Sequence, residues 1–303
     1  MKDVTKKAKT EKSKHIKAFI ILILNTIAII VCTTFAVLSW TVFRNYIPDS
    51  VAGVALSIAG FLLPIEKDLY ENFNDAMPWQ GYLRYLLRKK EINKNTLIRT
   101  NYVAFMIVEV DNKYLVLKNT HGMGLFQLPA KAYRMSYEKR MYLEKKFNTS
   151  PDDYITGKSY YDYRFLVKAK DLKKFYNHFL ADINPLTYDY SIIVQKMVDK
   201  CGLDKELFKN GKVAFKERQI ERIQYSRYTS HYEMMVCDVT LFEPTEEQYN
   251  ALMAVVNEET DDFKFVTLKE LKSNGVDAEA GKRLADIIPG AYDLVTLVKG
   301  KEE

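Results

Sequence analysis

Tyr102–Lys118 (YVAFMIVEVDNKYLVLK) decides the fold of the larger part of the chain. Two β-branched and aromatic runs, Tyr102–Val110 and Lys113–Lys118, flank Asp111-Asn112, a pair that tolerates left-handed backbone and so predicts a hairpin turn. The run Phe126-Gln127-Leu128-Pro129-Ala130 follows and must turn at its proline. Further downstream the signals alternate. Ser136 is placed to cap a helix over Tyr137–Phe147, and Asp171 a helix to about Leu180. Tyr188–Cys201 reads as a helix stopped by Gly202. Lys158–Lys168, Lys212–Gln224 and Ser230–Phe242 read as strands. Thr245 with Gln248, and Thr267 with Glu270, have capping-box spacing. The pattern predicts an α+β domain over residues 100–303, with helices laid on a mixed sheet.

Upstream of that domain the chemistry changes. Ala18–Phe43 is 26 residues without a formal charge, about 39 Å as a helix, against a hydrocarbon core of about 30 Å. A secretory leader has an apolar stretch of only about 7–15 residues, so this run predicts a transmembrane helix ended by Trp40 and Phe43. A second apolar run, Ile47–Ile65, follows after Arg44-Asn45-Tyr46. Pro48 suits its first turn and Pro64 its end. Together they predict a tight two-span hairpin over 16–66. It is preceded by a basic tail (1–15) and followed by a basic helical linker (67–99). Ala28, Cys32 and Ala36 on the first span, and Gly53, Ser57 and Gly60 on the second, form small-residue stripes through which the two helices can approach. No ionisable residue interrupts Ala18–Phe43 or Val51–Ile65, which gives no support to a proton or ion relay in one chain.

Charge placement sets the orientation. Residues 1–17 carry seven lysines against Asp3 and Glu11, a net +5 of the chain's +6. Lys67, Arg84, Arg88, Lys89, Lys90, Lys94 and Arg99 follow the second run, whereas the connection between the runs holds only Arg44. The positive-inside rule then puts both termini in the cytoplasm of a two-pass inner (plasma) membrane protein. The remainder sums to about +1, which argues against a DNA-binding domain with a uniform positive face. Cys32, Cys201 and Cys237 are too far apart for a disulfide framework or a thiolate metal site.

The hairpin leading to Leu128-Pro129-Ala130, and the late run Phe263–Leu271, resemble the beginning and end of a Nudix domain, an α/β/α sandwich. That family's signature is G-x5-E-x7-R-E-U-x-E-E-x-G-U, with U aliphatic, and its helix glutamates hold the magnesium that drives hydrolysis of nucleoside diphosphate derivatives. Two stretches can accept the signature. Arg140–Lys145 keeps an arginine and Glu144 but lies too close to Pro129-Ala130. Gln195–Leu203 has the glycine and the last aliphatic residue in place. In that alignment Gln195 takes the arginine position, Lys196, Asp199 and Lys200 the glutamates, Thr187 the earlier glutamate and Ala181 the first glycine. Magnesium requires hard anionic oxygens, and two lysines repel it while attracting phosphate directly. The resemblance therefore implies a divergent Nudix-like domain that is not an enzyme and needs no cofactor.

Two spans joined to such a domain resemble the SMODS-associated Nudix-like effectors of bacterial CBASS anti-phage systems. Tyr161–Arg164, Ile223–Arg227 and His231–Glu233 fit the same likeness. The family implies that a CD-NTase makes a cyclic nucleotide, the Nudix-like domain binds it, and the spans, assembled as a homo-oligomer, disrupt the bilayer and cause abortive infection. A cyclic nucleotide needs donors for its phosphates and flat faces for its bases. Arg218, Arg222, Tyr225, Arg227, Tyr228 and His231 supply both, with Arg164 and Lys131 on strands expected nearby. Regular alternation puts Tyr225 and Arg227 on one strand face and Arg222, Tyr228 and Tyr232 on the other. The alternative is a membrane-tethered, magnesium-dependent Nudix pyrophosphohydrolase using Glu144 and Asp199.

Overall fold

The computed structural model describes residues 2–41, 49–75, 79–119, 124–152, 160–221, 223–226, 229–258, 260–277, 282–283 and 286–299. The chain divides into two compact units, Met1–Lys89 and Lys90–Glu303.

The first unit is helical: α1 (Lys2–Thr41), α2 (Asp49–Asp75) and α3 (Trp79–Arg88). One helical stretch among the described residues, Ile20–Leu38, is long and apolar enough to cross a bilayer, at a mean hydropathy of 2.6. Only 6% of that window is buried, so its isoleucines and leucines face outward, unlike those of a soluble core helix. The apolar part of α2, Gly53–Ile65, is shorter, about 20 Å of helix. Helices α1 and α2 pack on each other, and Asn25 Nδ2 donates to the Leu62 carbonyl at 3.4 Å. A seven-residue connection between helices bonded at positions 25 and 62 makes the pair antiparallel. The helices are close-packed where the side chains are smallest, at buried Ala36, Ala55 and Ala59. The stripe expected on α2 is not the one used: Gly53, Ser57 and Gly60 are exposed, and Ser57 Oγ donates to the Gly53 carbonyl of its own helix. Pro64 does not end α2 either. It forfeits one hydrogen bond to residue 60, a loss that a 27-residue helix absorbs. Phe43 and Ile47, the expected inner ends of the two spans, lie outside the described residues, while Ala18 is in the body of α1 and Ile65 in α2.

The second unit is a mixed α/β domain. Its strands and helices run β1 (Leu97–Ile107), β2 (Glu109–Val110), β3 (Lys113–Lys118), β4 (Phe126–Gln127), β5 (Ala130–Ala132), α4 (Tyr137–Phe147), β6 (Ser150–Pro151), β7 (Arg164–Lys168), α5 (Leu172–Asp182), α6 (Ser191–Cys201) and α7 (Lys205–Phe208). Then come β8 (Lys212–Ile220), β9 (Gln224–Ser226), β10 (His231–Glu243), α8 (Glu246–Val255), β11 (Phe263–Thr267), α9 (Leu268–Lys272), a small pair β12 (Val276–Asp277) and β13 (Lys282–Arg283), and α10 (Ala291–Lys299). The main sheet has the order β6-β7-β1-β10-β8, with β5 also on β1 and β9 on β10. Strands β1 and β10 are parallel, with Tyr102 opposite Val236; the other pairs are antiparallel. A second sheet, β11-β3-β2 with β4 on β3, stands apart from the first.

Local signals explain many of the boundaries. Asp111 and Asn112 both have positive φ, 50° and 58°, as the tight turn between β2 and β3 requires. Ser136 caps α4 through Lys139 N, and both capping boxes are formed. Gly202 adopts the left-handed conformation that terminates α6. Other boundaries differ from expectation. β1 starts at Leu97, within the segment read as linker, because β7 and β10 pair with that end of it. The long strand expected to Gln224 breaks after Ile220 and resumes as β9.

The two faces of the main sheet are both covered. On one, Tyr102, Tyr133, Tyr163, Phe165, Phe175 and Phe179 form an aromatic cluster between the sheet and α5, with the Tyr102 and Phe179 rings 4.1 Å apart. On the other, Cys237 and Val239 of β10 meet Ala291, Leu294 and Val295 of α10 together with residues of the second sheet.

Candidate functional site

The site is built where α6 lies against β5. The apolar side of α6, Ile193, Val194, Met197, Val198 and Cys201, is buried at helical spacing. This turns Gln195, Lys196, Asp199 and Lys200 toward a cleft of about 410 Å³ that Ile192 and Asp262 complete. The Lys196 ammonium reaches the turn after Leu128-Pro129 and donates to the Ala130 carbonyl at 3.3 Å. Burial, then the nearby charges of Lys131 and Lys200, hold Lys196 below the usual lysine range. Among the described residues no carboxylate pairs with Lys131 or Lys196, whereas Lys200 Nζ donates to Asp262 Oδ1. Two lysines and two aspartates line the cleft, and Lys131 adds a third positive charge close to Lys196.

Its carboxylates are taken. Asp262 is held by Lys200, and Asp199 by Lys205 at 2.8 Å. Glu144 is on α4, bound by Arg140 Nε at 2.7 Å. Among the described residues no group of three His, Cys, Asp or Glu side chains gathers as cation ligands. A donor set of two lysines beside lysine-bound aspartates does not fit magnesium, which takes several hard oxygens in near-octahedral order.

The remaining ligand candidates are dispersed. Arg218, on β8, is spent on Asp238: Nε and Nη2 reach its two oxygens at 2.5 and 2.6 Å, and the guanidinium lies over the Phe179 ring. Arg164 stands on β7 opposite Asn101, 3.7 Å from Asp162, and burial pulls it below the usual arginine range. His231 opens β10 with Nδ1 2.7 Å from the Thr229 carbonyl. Tyr225 on β9 is 55% exposed and meets Tyr232 edge-to-face at 5.4 Å. Tyr225 and Tyr232 are cross-strand partners, so they share a face, which corrects the alternation counted along a single strand. The count failed because the chain reverses between them at Thr229-Ser230. Arg222, Arg227 and Tyr228 lie outside the described residues. Lys196 and Lys200 are thus brought together with Lys131, while Arg218, Arg164, Tyr225 and His231 occupy other parts of the sheet.

A buried polar network escaped the reading of the sequence. Asp238 is fully buried and accepts from Tyr133 Oη as well as from Arg218. Tyr190 Oη is 3.5 Å from Tyr133 Oη and donates to the Pro185 carbonyl at 2.8 Å. Burial and then the Asp238 charge push the Tyr133 phenol far above its ordinary value. The network joins the residue after β5 to β8, β10 and the segment before α6. The register that aligns Asp238 with Arg218 gives the one available signal, opposite charges that become neighbours only once β8 and β10 pair.

A long first strand parallel to a late strand, and a helix that ends at Gly202 and packs on a Leu-Pro turn, frame the cleft. The chain belongs to the SMODS-associated NUDIX domain family, which matches residues 97–295. Similar solved structures include a bifunctional NMN adenylyltransferase/ADP ribose pyrophosphatase from Francisella tularensis. Identity is 11% over 80% of this chain and 52% of that one, at a TM-score of 0.25. A structure of the Francisella enzyme complexed with AMP and a manganese ion has a TM-score of 0.26 at the same identity and coverage. A UDP-X diphosphatase is 9% identical over 91% of this chain and 95% of that one, at a TM-score of 0.22. The chain spans about half the length of the Francisella enzyme. No curated protein matches it.

Proposed function

We propose that this chain is a non-enzymatic effector of a bacterial CBASS anti-phage system, held in the inner membrane by a two-helix hairpin with both termini in the cytoplasm. Its Nudix-like domain binds a cyclic nucleotide made by a CD-NTase at the α6 cleft. Binding assembles several chains, and their hairpins disrupt the bilayer, so that the infected cell dies. The observation that carries this reading is the convergence of Lys131, Lys196 and Lys200 where α6 meets the Leu128-Pro129-Ala130 turn. The Lys196 and Lys200 ammonium groups in the cleft, with Lys131 close to Lys196, favour phosphate oxygens, which they meet as point charges. The apolar Ile20–Leu38 helix and family membership supply the membrane and defence parts of the reading.

Titrating the full chain in detergent with a panel of cyclic di- and trinucleotides tests it. One member should raise the melting temperature, because a ligand bound only to the folded state stabilises it. Lys196→Met should abolish that rise. Magnesium-dependent release of product from a dinucleotide, lost in Asp199→Asn, would instead establish the hydrolase.

A further inference from the structure

We infer that Asp262 sets the charge selectivity of the α6 cleft, opposing phosphates in proportion to the negative charge they carry. The inference rests on the reading of that cleft as a phosphate site. Asp262 stands at the bend before β11 and lines the cleft together with Asp199. Whereas Asp199 is held by Lys205, Asp262 pairs with a lining lysine, Lys200. Its backbone is pinned: the amide donates to Thr260 Oγ1 at 3.2 Å, and the carbonyl accepts from Lys118 N at 2.8 Å. Its side chain is not, being 56% exposed with Lys200 as its partner. The carboxylate can rotate off Lys200 without moving the chain, but it cannot leave the rim.

A phosphate entering the cleft takes over Lys196 and Lys131 and competes with Asp262 for Lys200. Every negative charge it brings is drawn to the lysines and repelled by the carboxylate, which stays on the rim. A phosphodiester brings one charge per phosphate, whereas a polyphosphate end brings several on adjacent groups. Because the Asp262 carboxylate is more than half exposed at the rim, water screens the repulsion to about threefold in affinity for each ligand charge. Asp262 thus flattens the preference for highly charged ligands that three lysines alone would create. It favours diesters over the nucleoside triphosphates that every cell holds in excess.

The test is a charge ladder read on the full chain in detergent: orthophosphate, pyrophosphate and tripolyphosphate, by calorimetry at fixed ionic strength. Asp262→Asn should tighten orthophosphate about threefold and tripolyphosphate by more than about tenfold. Glu247→Gln, which removes the same formal charge on the exposed first turn of α8, should change neither. A gain that is flat along the ladder, absent, or matched by Glu247→Gln overturns the inference, while loss of all binding in Lys196→Met keeps the cleft as the phosphate site. Failure of every probe on wild type and Asp262→Asn alike removes both.

Discussion

Arg218, on the edge strand β8, grips Asp238 of β10 through two nitrogens, one residue 14% exposed and the other not at all. The acid is satisfied from a third side by the Tyr133 hydroxyl. An ion pair this dry serves the fold, whatever ligand the domain takes. Removing one partner leaves a buried charge uncompensated, at a cost of about 3–5 kcal/mol. Arg218→Met and Asp238→Asn should each lower stability by that order in urea unfolding, and an Arg218→Met/Asp238→Leu double variant should recover much of it. A loss from the single variants below about 1 kcal/mol would mean that the pair is not formed.

Glu221 provides a pH handle. Burial first, then its neighbours Glu233 and Asp293, raises its carboxyl above the ordinary 4.5. The folded chain therefore holds a proton there that the unfolded chain releases, so the stability from this group is greatest below pH 4.5. It declines as the pH rises through the elevated value. Melting temperatures between pH 4 and 8 should show this decline in wild type, and Glu221→Gln should flatten it and stabilise the chain at pH 7.

Lys196 gives a second pH dependence, on the ligand side. Its ammonium loses its proton at lower pH than an ordinary lysine. Phosphate affinity should therefore weaken on the alkaline side earlier than for an exposed lysine site. Lys196→Arg, which stays charged, should hold the affinity level across pH 7–10. Pyrophosphate calorimetry in that range is the measurement.

The helix pair can be tested in membranes. Cysteines at positions 25 and 62, in a background lacking Cys32, should form an intramolecular disulfide, because Asn25 and Leu62 meet between α1 and α2. Ala59→Leu should suppress this cross-link, since Ala59 is buried in the unit, whereas Gly53→Leu should leave it intact because nothing stands near Gly53.

The capping boxes give a smaller effect. Thr245→Ala and Thr267→Ala each remove an acceptor for a backbone amide at the start of a helix. Each should cost about 1 kcal/mol in urea unfolding, and the two should add, because the helices are separate.

How much of this was legible follows from how local each signal is. The Asp111-Asn112 turn, the Ser136 cap, the stop at Gly202 and the two Thr-initiated helices depend on residues within four positions of one another, and a sequence displays them directly. The lysines of α6 were legible for the same reason, being one turn apart. Lys131 joins them only through the packing of α6 on β5. The start of β1 at Leu97 was hidden, because basic residues there suggested linker while its partners lie 67 to 134 positions away. Arg218 was read as a ligand residue because Asp238, its neutraliser, is on the next strand. Of 21 tyrosines, several, Tyr102, Tyr133 and Tyr163 among them, are interior to the domain. Composition cannot separate a core aromatic from a recognition aromatic.

The main sheet ends on one side at β6, two residues long and closed by Pro151. Proline has no amide hydrogen to offer a neighbouring chain, and so short a strand presents almost no ladder to extend. Fibre-like growth by strand addition is shut off along that border. Copies of this domain that come together therefore cannot do so by extending the sheet past β6.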